Sequence, residues 1–257
     1  MKASELGLPR GVSLQVLGNV LVVRAKTLSA EQRSKIIELA RQLGLKAAVL
    51  VYGIESEERK PRAEFLYGNE AKTVHEEAGV KYVVDPTKVM FSRLNKKERE
   101  RMARTGNRHE IVVDMFAGIG YFSLPIAKNV KRVYALDINP AAIELLIEAM
   151  KLNSLLNIVP AVCDNRKILL ENIADRIIMG YLFSTEQYLP AAARMAKNTC
   201  IVHFHRIFTV EEKGKIKDLV CSWFLQYFKD AVVLEIRKIK NYAPKKIHYV
   251  VDVLAEK

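Results

Sequence analysis

The sequence predicts an α/β fold, in which a small α+β unit precedes a larger, parallel, doubly wound sheet. Two observations support this prediction. From residue 111 onward, short apolar runs alternate with stretches of helical spacing, which is the pattern of βαβ units. Before that point, several short β-rich segments surround a single helix-like stretch. We therefore expect two domains, at residues 1–90 and 91–257.

Composition indicates a well-packed globular protein with a polyanionic partner. Half of the 257 residues are hydrophobic and 27% are charged, which is sufficient for a buried core. No apolar run is long enough to cross a membrane and the N-terminal residues lack a signal peptide, so we expect a cytoplasmic protein. The sequence leaves the oligomeric state open, and we favour a monomer. The 41 Lys and Arg against 29 Asp and Glu give a net charge of +12. This charge favours nucleic-acid binding, with a merely basic soluble surface as the alternative.

Turn and capping signals define the elements of the first unit. Val12–Arg24 is β-rich and interrupted by Gly18-Asn19, which predicts a hairpin. Ser29 and Gln32 form a capping-box pair at the start of an amphipathic helix. The remaining elements are a strand at Ala47–Tyr52, a polar break at Arg59-Lys60-Pro61-Arg62 and short strands around Glu64–Tyr67, Lys72–His75 and Lys81–Val84.

A strongly charged, helix-like segment at Arg93–Arg108 follows the first unit. Seven cations and two acids give this segment a net charge of +5. Two interpretations are open for it. The segment is either a solvated connector helix or a helix that holds phosphate or carboxylate groups.

The second unit is predicted from five apolar runs and the helices between them. The runs are Ile111–Met115, Arg132–Leu136, Ile158–Cys163, Arg176–Met179 and Cys200–Phe204. The other expected elements are helices at Asn139–Asn153 and Ser184–Lys197, a helix from after Thr209 to about Lys229, strands at Ala231–Ile239 and Ile247–Leu254, and a turn at Asn241-Tyr242-Ala243-Pro244. Five βα units followed by a strand pair predict a seven-stranded, Rossmann-like sheet of the class I methyltransferase type.

Three strand ends of the second unit carry residues suited to an adenosine-type ligand. Gly118 and Gly120 follow the first strand, where glycine lets the backbone approach a ligand and a helix N-terminus offers free N–H groups. Asp137 ends the second strand and can accept hydrogen bonds from both ribose hydroxyls. Asp164 and Asn165 follow the third strand, where an acceptor beside an amide can read the amino edge of adenine.

Each of these signals also has a purely structural interpretation. A lone G-x-G loop is often only a turn, and a strand-end Asp often caps the next helix. A dinucleotide fingerprint requires a third glycine where this chain has Ser123, which argues against NAD or FAD as the bound cofactor. Because the three signals follow successive strands in order, we expect S-adenosylmethionine. The expected cofactor-binding residues of this region are Asp114, Phe116, Ala117, Gly118, Gly120, Asp137, Ile138, Asp164 and Asn165.

Long stretches of the chain resemble a known family. FSRLNKKERERMAR, VVDMFAGIGYFSLPIAK, VYALDINPAAIELL, CDNR and DRIIMGY resemble the archaeal and eukaryotic tRNA position-37 enzymes. That family contains the guanine N1-methyltransferases and the aminocarboxypropyltransferase of wybutosine synthesis. The resemblance covers roughly residues 60–257, and the N-terminal unit is similar in pattern. The extra N-terminal domain of the methyltransferases is not expected here.

The segment after the fourth strand separates the two branches of that family. The N1-methyltransferases have an Asn-Leu-Pro-like motif there, whereas Met179-Gly180-Tyr181 resembles the aminocarboxypropyltransferases. The resemblance implies transfer of the 3-amino-3-carboxypropyl group of S-adenosylmethionine to C7 of 4-demethylwyosine in tRNA(Phe). Holding Cγ rather than the methyl group towards the base is sufficient to select that arm. An N1-methyltransferase and a non-catalytic tRNA-binding relative are the alternatives.

The family pattern implies roles for a few further residues. Ser92 and Arg99 would contact the cofactor, and a guanidinium suits its carboxylate because it forms bidentate hydrogen bonds. A local turn for Ser92 and a solvated helix face for Arg99 are the alternatives. No catalytic residue is assigned. Tyr181 either stacks on the base or caps the sheet, and His205 either approaches the base or is a core histidine.

No metal site is expected. The three cysteines are scattered, and Cys163 is interpreted as inert packing. His203 and His205 lie on one face of a strand without a carboxylate or cysteine at ligand spacing.

Aromatic and basic residues near the C-terminus have two expected uses. Helical spacing places four aromatic residues in the core, namely Trp223, Phe224, Tyr227 and Phe228. For tRNA contact, the candidates are the basic segment near Arg99 and a terminal group comprising Arg237, Lys238, Lys240, Lys245 and Lys246, interleaved with Tyr242 and Tyr249.

Overall fold

The computed structural model describes residues 7–9, 11–55 and 60–257. The described residues form two compact units. One comprises the chain up to Phe91 together with Glu144–Asn153, and the other comprises Ser92–Ile143 and Ser154–Lys257. Glu144–Asn153, which the sequence pattern places in the second domain, therefore groups with the first unit. No helix in the described ranges has the length and apolar character needed to cross a membrane.

The smaller unit contains a four-stranded sheet, a helix and a separate hairpin. Its elements are β1 (Ser13–Leu17), β2 (Val20–Arg24), α1 (Ala30–Gln42), β3 (Ala47–Glu55), β4 (Lys60–Tyr67), β5 (Thr73–Glu77) and β6 (Val80–Val84). The sheet order is β1-β2-β3-β4, and β5 pairs with β6. The hairpin at Gly18-Asn19 and the capping box between Ser29 and Gln32 are confirmed. Ile36, Leu39 and Ala40 of α1 pack into the core of this unit.

The predicted polar break at residues 59–62 is wrong from Lys60 onward, because β4 begins at that residue. Pro61 lies within the strand, opposite Ile54 of β3. In the described part of the chain β4 pairs only with β3, so it is an edge strand. An edge strand tolerates proline because the missing N–H would face away from the ladder. Arg59 lies outside the described residues.

The larger unit contains the predicted seven-stranded sheet. Its strands are β7 (Ile111–Asp114), β8 (Arg132–Asp137), β9 (Ile158–Val162), β10 (Ala174–Met179), β11 (Ala196–Thr209), β12 (Asp230–Ala243) and β13 (Lys246–Glu256). Their order in the sheet is β12-β13-β11-β10-β7-β8-β9. The five strands from β7 to β11 are parallel to one another, and β13 is antiparallel to its neighbours β11 and β12. Since β7 lies between β8 and β10, the order in which successive strands are added to the sheet reverses at β7. Open α/β sheets bind ligands at the carboxyl ends of strands flanking such a point.

The helices after β6 are α2 (Lys96–Met102), α3 (Ser123–Ile126), α4 (Pro140–Leu152), α5 (Leu189–Met195) and α6 (Ile216–Phe224). The charged segment is therefore not one helix over residues 93–108. A 3-10 turn at Arg93–Asn95 leads into α2. Gly106 has a φ of 87°, outside the helical range, so the segment cannot continue as a helix.

Two predictions about the C-terminal aromatic residues are wrong. Tyr227 is 43% exposed, because α6 ends at Phe224 and helical spacing no longer directs later side chains to the core. Tyr249 is only 6% exposed and packs its ring edge-on to Phe208, so it offers no surface to RNA. The predicted turn at residues 241–244 is also shorter than expected. β12 continues to Ala243, and the strands reverse at residues 244 and 245.

Candidate functional site

The loop after β7 makes a tight turn that only glycine allows. Gly118 and Gly120 have φ values of 54° and 87°. A Cβ atom on Gly118 would lie 2.4 Å from the Tyr121 ring, so no larger residue fits there without displacing that ring. The amide of Ala117 donates to the Leu136 carbonyl over 2.9 Å, which holds the loop against the end of β8.

Asp137 joins this loop to the end of β8. Its Oδ2 accepts a hydrogen bond from the Gly118 amide at 2.7 Å, and its Oδ1 accepts one from the Asn139 amide at 2.9 Å. A carboxylate offers about four lone-pair sites, so the same group can hold the loop and accept hydrogen bonds from ligand hydroxyls. The neighbouring Ile138 is 39% exposed. The structure therefore brings together the glycine loop and the strand-end acid that the sequence singled out.

Asn165 ties the end of β9 to the same place. Its Nδ2 donates to the Met115 carbonyl at 2.6 Å, and the residue is only 5% exposed. Its Oδ1 is buried and has no hydrogen-bond partner within residues 7–9, 11–55 and 60–257. A buried acceptor without a partner is costly, and the amino group of an adenine would satisfy it. This orphaned atom fits an adenosine ligand.

Asp164 is engaged differently from Asn165. Its two carboxylate oxygens accept hydrogen bonds from Nε and Nη2 of Arg166, both at 2.9 Å. The hydrogen bond from Arg166 lowers the pKa of Asp164. Both oxygens of Asp164 are thus bonded to Arg166, and contact of this carboxylate with a ligand stays a prediction.

Asp114 lies beneath the glycine loop. It is fully buried, accepts from Ser123 Oγ at 2.7 Å, and accepts from the Phe116 amide at 3.3 Å. Burial raises the pKa of Asp114 to about 7. Its contacts support the loop from below. Ser123, noted in the sequence only as a missing glycine, anchors this carboxyl group.

Ser92 and Arg99 lie together at the start of α2. Arg99 is only 2% exposed, so the solvated-face interpretation is wrong, and its Nη1 donates to the Ser92 carbonyl at 3.0 Å. Lys240, from β12, donates to Ser92 Oγ and Asn95 Oδ1, both at 3.0 Å. The sequence placed Lys240 only among residues for RNA contact. Nothing local could have revealed this link, because it joins residues 148 positions apart.

A buried ionic cluster connects α2 to the sheet. Arg101 pairs with Glu98 and, through Nη1, with Asp252 Oδ2 at 3.1 Å. Asp252 Oδ1 lies 2.6 Å from His203 Nδ1 and 2.8 Å from Arg237 Nη2. Burial raises the pKa of Asp252, but the hydrogen bond from His203 and the charge of Arg101 outweigh it and hold that pKa below its usual range. The cluster thus fixes the helix that carries Arg99.

An aromatic cluster lines the ends of β7 and β10. Tyr181 stacks on Phe116 with a centroid distance of 5.1 Å and an interplanar angle of 20°. Tyr188 meets Phe116 edge-on at 4.9 Å, and Phe183 meets Tyr181 edge-on at 6.2 Å. Tyr242 of β12 then meets Phe183 at 5.6 Å. Phe183 and Tyr188 are not among the site residues expected from the sequence, although the alternation of Tyr181 and Phe183 after β10 is a signal for an aromatic cluster.

His205 is buried within the sheet. Its Nδ1 lies 3.2 Å from His248 Nε2, and its ring centroid lies 5.1 Å from that of Phe122. Burial lowers the pKa of His205 to about 3, so the ring is neutral near pH 7. These contacts favour the core interpretation over contact with a base. Within the part of the chain that the structure describes, no group of three or more His, Cys, Asp or Glu is arranged to hold a metal ion.

Comparison with known proteins identifies similar chains. Residues 73–232 match the TRM5/TYW2 methyltransferase domain. The tRNA(Phe) (4-demethylwyosine(37)-C(7)) aminocarboxypropyltransferase of Methanocaldococcus jannaschii is 40% identical over 96% of this chain and 99% of its own length. The tRNA (guanine(37)-N(1))-methyltransferase Trm5b of Pyrococcus abyssi is 32% identical over 93% of this chain and 74% of its own length.

Solved structures give the same result. M. jannaschii TYW2 in complex with AdoMet superposes with a TM-score of 0.77 and 32% identity, covering 95% of this chain and 100% of that one. P. horikoshii TYW2 in complex with MeSAdo superposes with a TM-score of 0.84 and 35% identity, covering 95% and 91% of the two chains. With its seven-stranded sheet, its glycine loop and these matches over nearly its whole length, the chain belongs to the TRM5/TYW2 methyltransferase domain family.

Proposed function

We infer that this protein transfers the 3-amino-3-carboxypropyl group of S-adenosylmethionine (AdoMet) to C7 of 4-demethylwyosine at position 37 of tRNA(Phe). The observation that carries this inference is the 40% identity to an enzyme of that name over 96% of this chain and 99% of the relative. Identity at this level over nearly all of both chains supports a shared reaction, and the site described above contains groups that are suited to AdoMet.

We propose that two groups of residues hold the two halves of AdoMet. The adenosine half would lie against the glycine loop, with Asp137 accepting from its ribose and Asn165 Oδ1 accepting from its adenine amino group. The methionine half would lie towards Ser92 and the buried guanidinium of Arg99. α2, which carries Arg99, contacts α3, the helix that follows the glycine loop. Both groups therefore belong to adjoining elements of one unit.

The chemistry supplied by bound AdoMet is an electrophilic carbon next to a sulfonium. In this transfer a bond forms between C7 of the base and Cγ, the Cγ–S bond breaks with its electron pair passing to sulfur, and the proton on C7 passes to water. The leaving group is 5′-methylthioadenosine. Because a neutral thioether leaves readily from a sulfonium, the protein's task is to orient Cγ rather than the methyl carbon towards the base. Rigid support of Arg99 by α2 serves that task.

A tRNA guanine-37 N1-methyltransferase is the second candidate. The observation that favours it is the 32% identity to Trm5b, which shares the domain family. Against it stands the segment after β10, where Met179-Gly180-Tyr181 supplies neither a side-chain amide nor a proline.

Two labelled forms of AdoMet distinguish these candidates. One form carries the label in the methyl group and the other in the carboxypropyl carbons. Each is incubated with the protein and with either tRNA(Phe) containing 4-demethylwyosine or tRNA(Phe) containing guanine at position 37. We expect label only from the carboxypropyl carbons, and only on the 4-demethylwyosine substrate. Label from the methyl group on guanine would establish the second candidate instead.

The partner and the cellular setting follow the same proposal. A tRNA is the substrate class, and tRNA(Phe) is the proposed member because 4-demethylwyosine is the proposed target. We further propose a monomer that acts in the cytoplasm. Light scattering with and without tRNA checks the first point, and fluorescence microscopy of the tagged protein in its source cells checks the second.

A further inference from the structure

Two aromatic rings stand at the rim of the site with much of their surface open. Phe183 follows β10 and is 40% exposed, and Tyr242 lies near the end of β12 and is 39% exposed. Their ring centroids are 5.6 Å apart with an interplanar angle of 82°. Two different elements thus bring two large rings together at the surface. These two residues are called the aromatic pair below.

The aromatic pair is continuous with the loop that follows β7. Phe183 makes a T-shaped contact with Tyr181, and Tyr181 in turn stacks on Phe116 of that loop. One face of Tyr181 is therefore covered by Phe116, and its ring makes T-shaped contacts with Phe183 and Tyr188. Tyr181 is largely committed to contacts inside the cluster. The more exposed rings are those of the aromatic pair, of which Phe183 is two ring contacts and Tyr242 three from Phe116.

Three lysines lie close to Tyr242 along the chain. Lys238, Lys245 and Lys246 belong to the same β12–β13 hairpin as Tyr242, and all three are exposed. None of them forms an ion pair with a residue that the structure describes. Exposed ammonium groups on a hairpin that also carries an exposed aromatic ring are a combination with which proteins bind single-stranded RNA, since phosphates take the charges and bases stack on the rings.

We propose that the aromatic pair stacks an unpaired base that flanks the modified nucleotide of the RNA substrate. This inference rests on the proposed function. The geometry of the site favours a base that flanks the reacting nucleotide over the reacting base itself. The reacting base must reach the donor carbon beside the glycine loop, whereas Phe183 and Tyr242 lie two and three ring contacts from Phe116 of that loop. Drawing one base into a site unstacks its neighbour, and a base left without its stacking partner gains from an aromatic surface.

Binding measurements with substituted protein test this directly. Phe183→Ala and Tyr242→Ala should each raise the Kd for tRNA(Phe) about tenfold, within the range for loss of one stacked base. Phe183→Tyr and Tyr242→Phe retain the rings and should bind as the unaltered protein does. Tyr227→Ala removes a comparably exposed ring elsewhere and is the matched control. The Kd for AdoMet should be unchanged in all five variants, which separates this effect from loss of the fold.

A second arm identifies the stacked base. Anticodon stem-loop RNAs are made with an abasic site at the nucleotide before or after position 37, or at position 37 itself. If the aromatic pair stacks a flanking base, an abasic site at that flanking position raises the RNA Kd of the unaltered protein. The same abasic site does not raise the Kd of the Phe183→Ala variant any further. Independent, additive losses would overturn the inference, and so would non-additivity confined to position 37. An unchanged tRNA Kd in both alanine variants would also overturn it.

The label-transfer assay keeps this inference apart from the proposed function. If the unaltered protein transfers no carboxypropyl label, the proposed function fails whatever the binding data show. If the unaltered protein transfers label and the alanine variants bind tRNA normally, only the stacking inference fails.

Discussion

Asp137 holds the glycine loop and faces the proposed ribose position, whereas Asp164 is paired with Arg166. The two acids at successive strand ends therefore differ in how freely their carboxylates can accept hydrogen bonds from a ligand. We expect Asp137→Ala to lower AdoMet affinity at least tenfold, because a hydrogen bond to a charged group contributes about 1.5–3 kcal/mol. Asp164→Ala should lower it less. Calorimetric titration of both variants checks this, and equal losses would contradict the assignment of Asp137.

Arg99 is nearly buried, and its guanidinium donates to the Ser92 carbonyl while its planar fork suits a carboxylate. Arg99→Lys keeps the charge but removes the fork. We expect the affinity for AdoMet to fall more than that for 5′-methylthioadenosine, which lacks the carboxylate. The measurement is a pair of titrations for each protein, with Arg104→Lys, an exposed arginine after the same helix, as the control. Equal losses for the two ligands would place Arg99 away from the carboxylate.

At the scale of elements, α2 is held by one acid of β13. Asp252 contacts His203, Arg101 and Arg237, which come from three other elements. Asp252→Ala leaves these groups without their shared carboxylate. We expect it to lower the free energy of unfolding by about 3–5 kcal/mol at pH 7, the usual cost of removing one partner of a buried ion pair. Denaturant unfolding measures this, with Asp218→Ala on the exposed side of α6 as the control.

The pH dependence of this effect has a definite sign. The pKa of Asp252 is lower in the folded protein than in the unfolded chain, chiefly through its bond from His203 and the charge of Arg101, which outweigh burial. Its stabilising contribution is therefore complete above the unfolded pKa of about 3.9 and declines as the pH falls below that value. The difference between the unaltered protein and Asp252→Ala should shrink in acid. A difference that stays constant from pH 7 to pH 3 would contradict this account.

The elements also show how far sequence reasoning reaches. The glycine loop, Asp137 and Asn165 could be predicted because each follows a strand that its own apolar run defines. β11 was predicted only over Cys200–Phe204, yet it extends over Ala196–Thr209. Pairing with β13 over eleven residues lengthens the strand beyond its apolar centre. The links from Lys240 to Ser92 and from Asp252 to His203 depend on such long-range pairing, so no local pattern could indicate them.

At the scale of the whole molecule, the net charge of +12 bears on how the protein meets its RNA. Phosphate contacts release counterions, so affinity falls steeply as salt rises. We expect the Kd for tRNA to rise at least a hundredfold between about 50 and 200 mM salt, with little change in the Kd for AdoMet. Fluorescence anisotropy across a salt series measures the slope.

Neutral substitutions on the β12–β13 hairpin show which cations contribute to that slope. Lys245 and Lys246 lie at its exposed turn. Replacing both with Gln should reduce the salt slope by about one to two, since each phosphate contact contributes nearly one. Lys217 is an exposed lysine on α6, and its replacement in Lys217→Gln should leave the salt slope unchanged. If the double variant keeps the original slope while tRNA binding itself stays salt-sensitive, the phosphates are bound by other cations, and the basic segment around α2 becomes the surface to alter next.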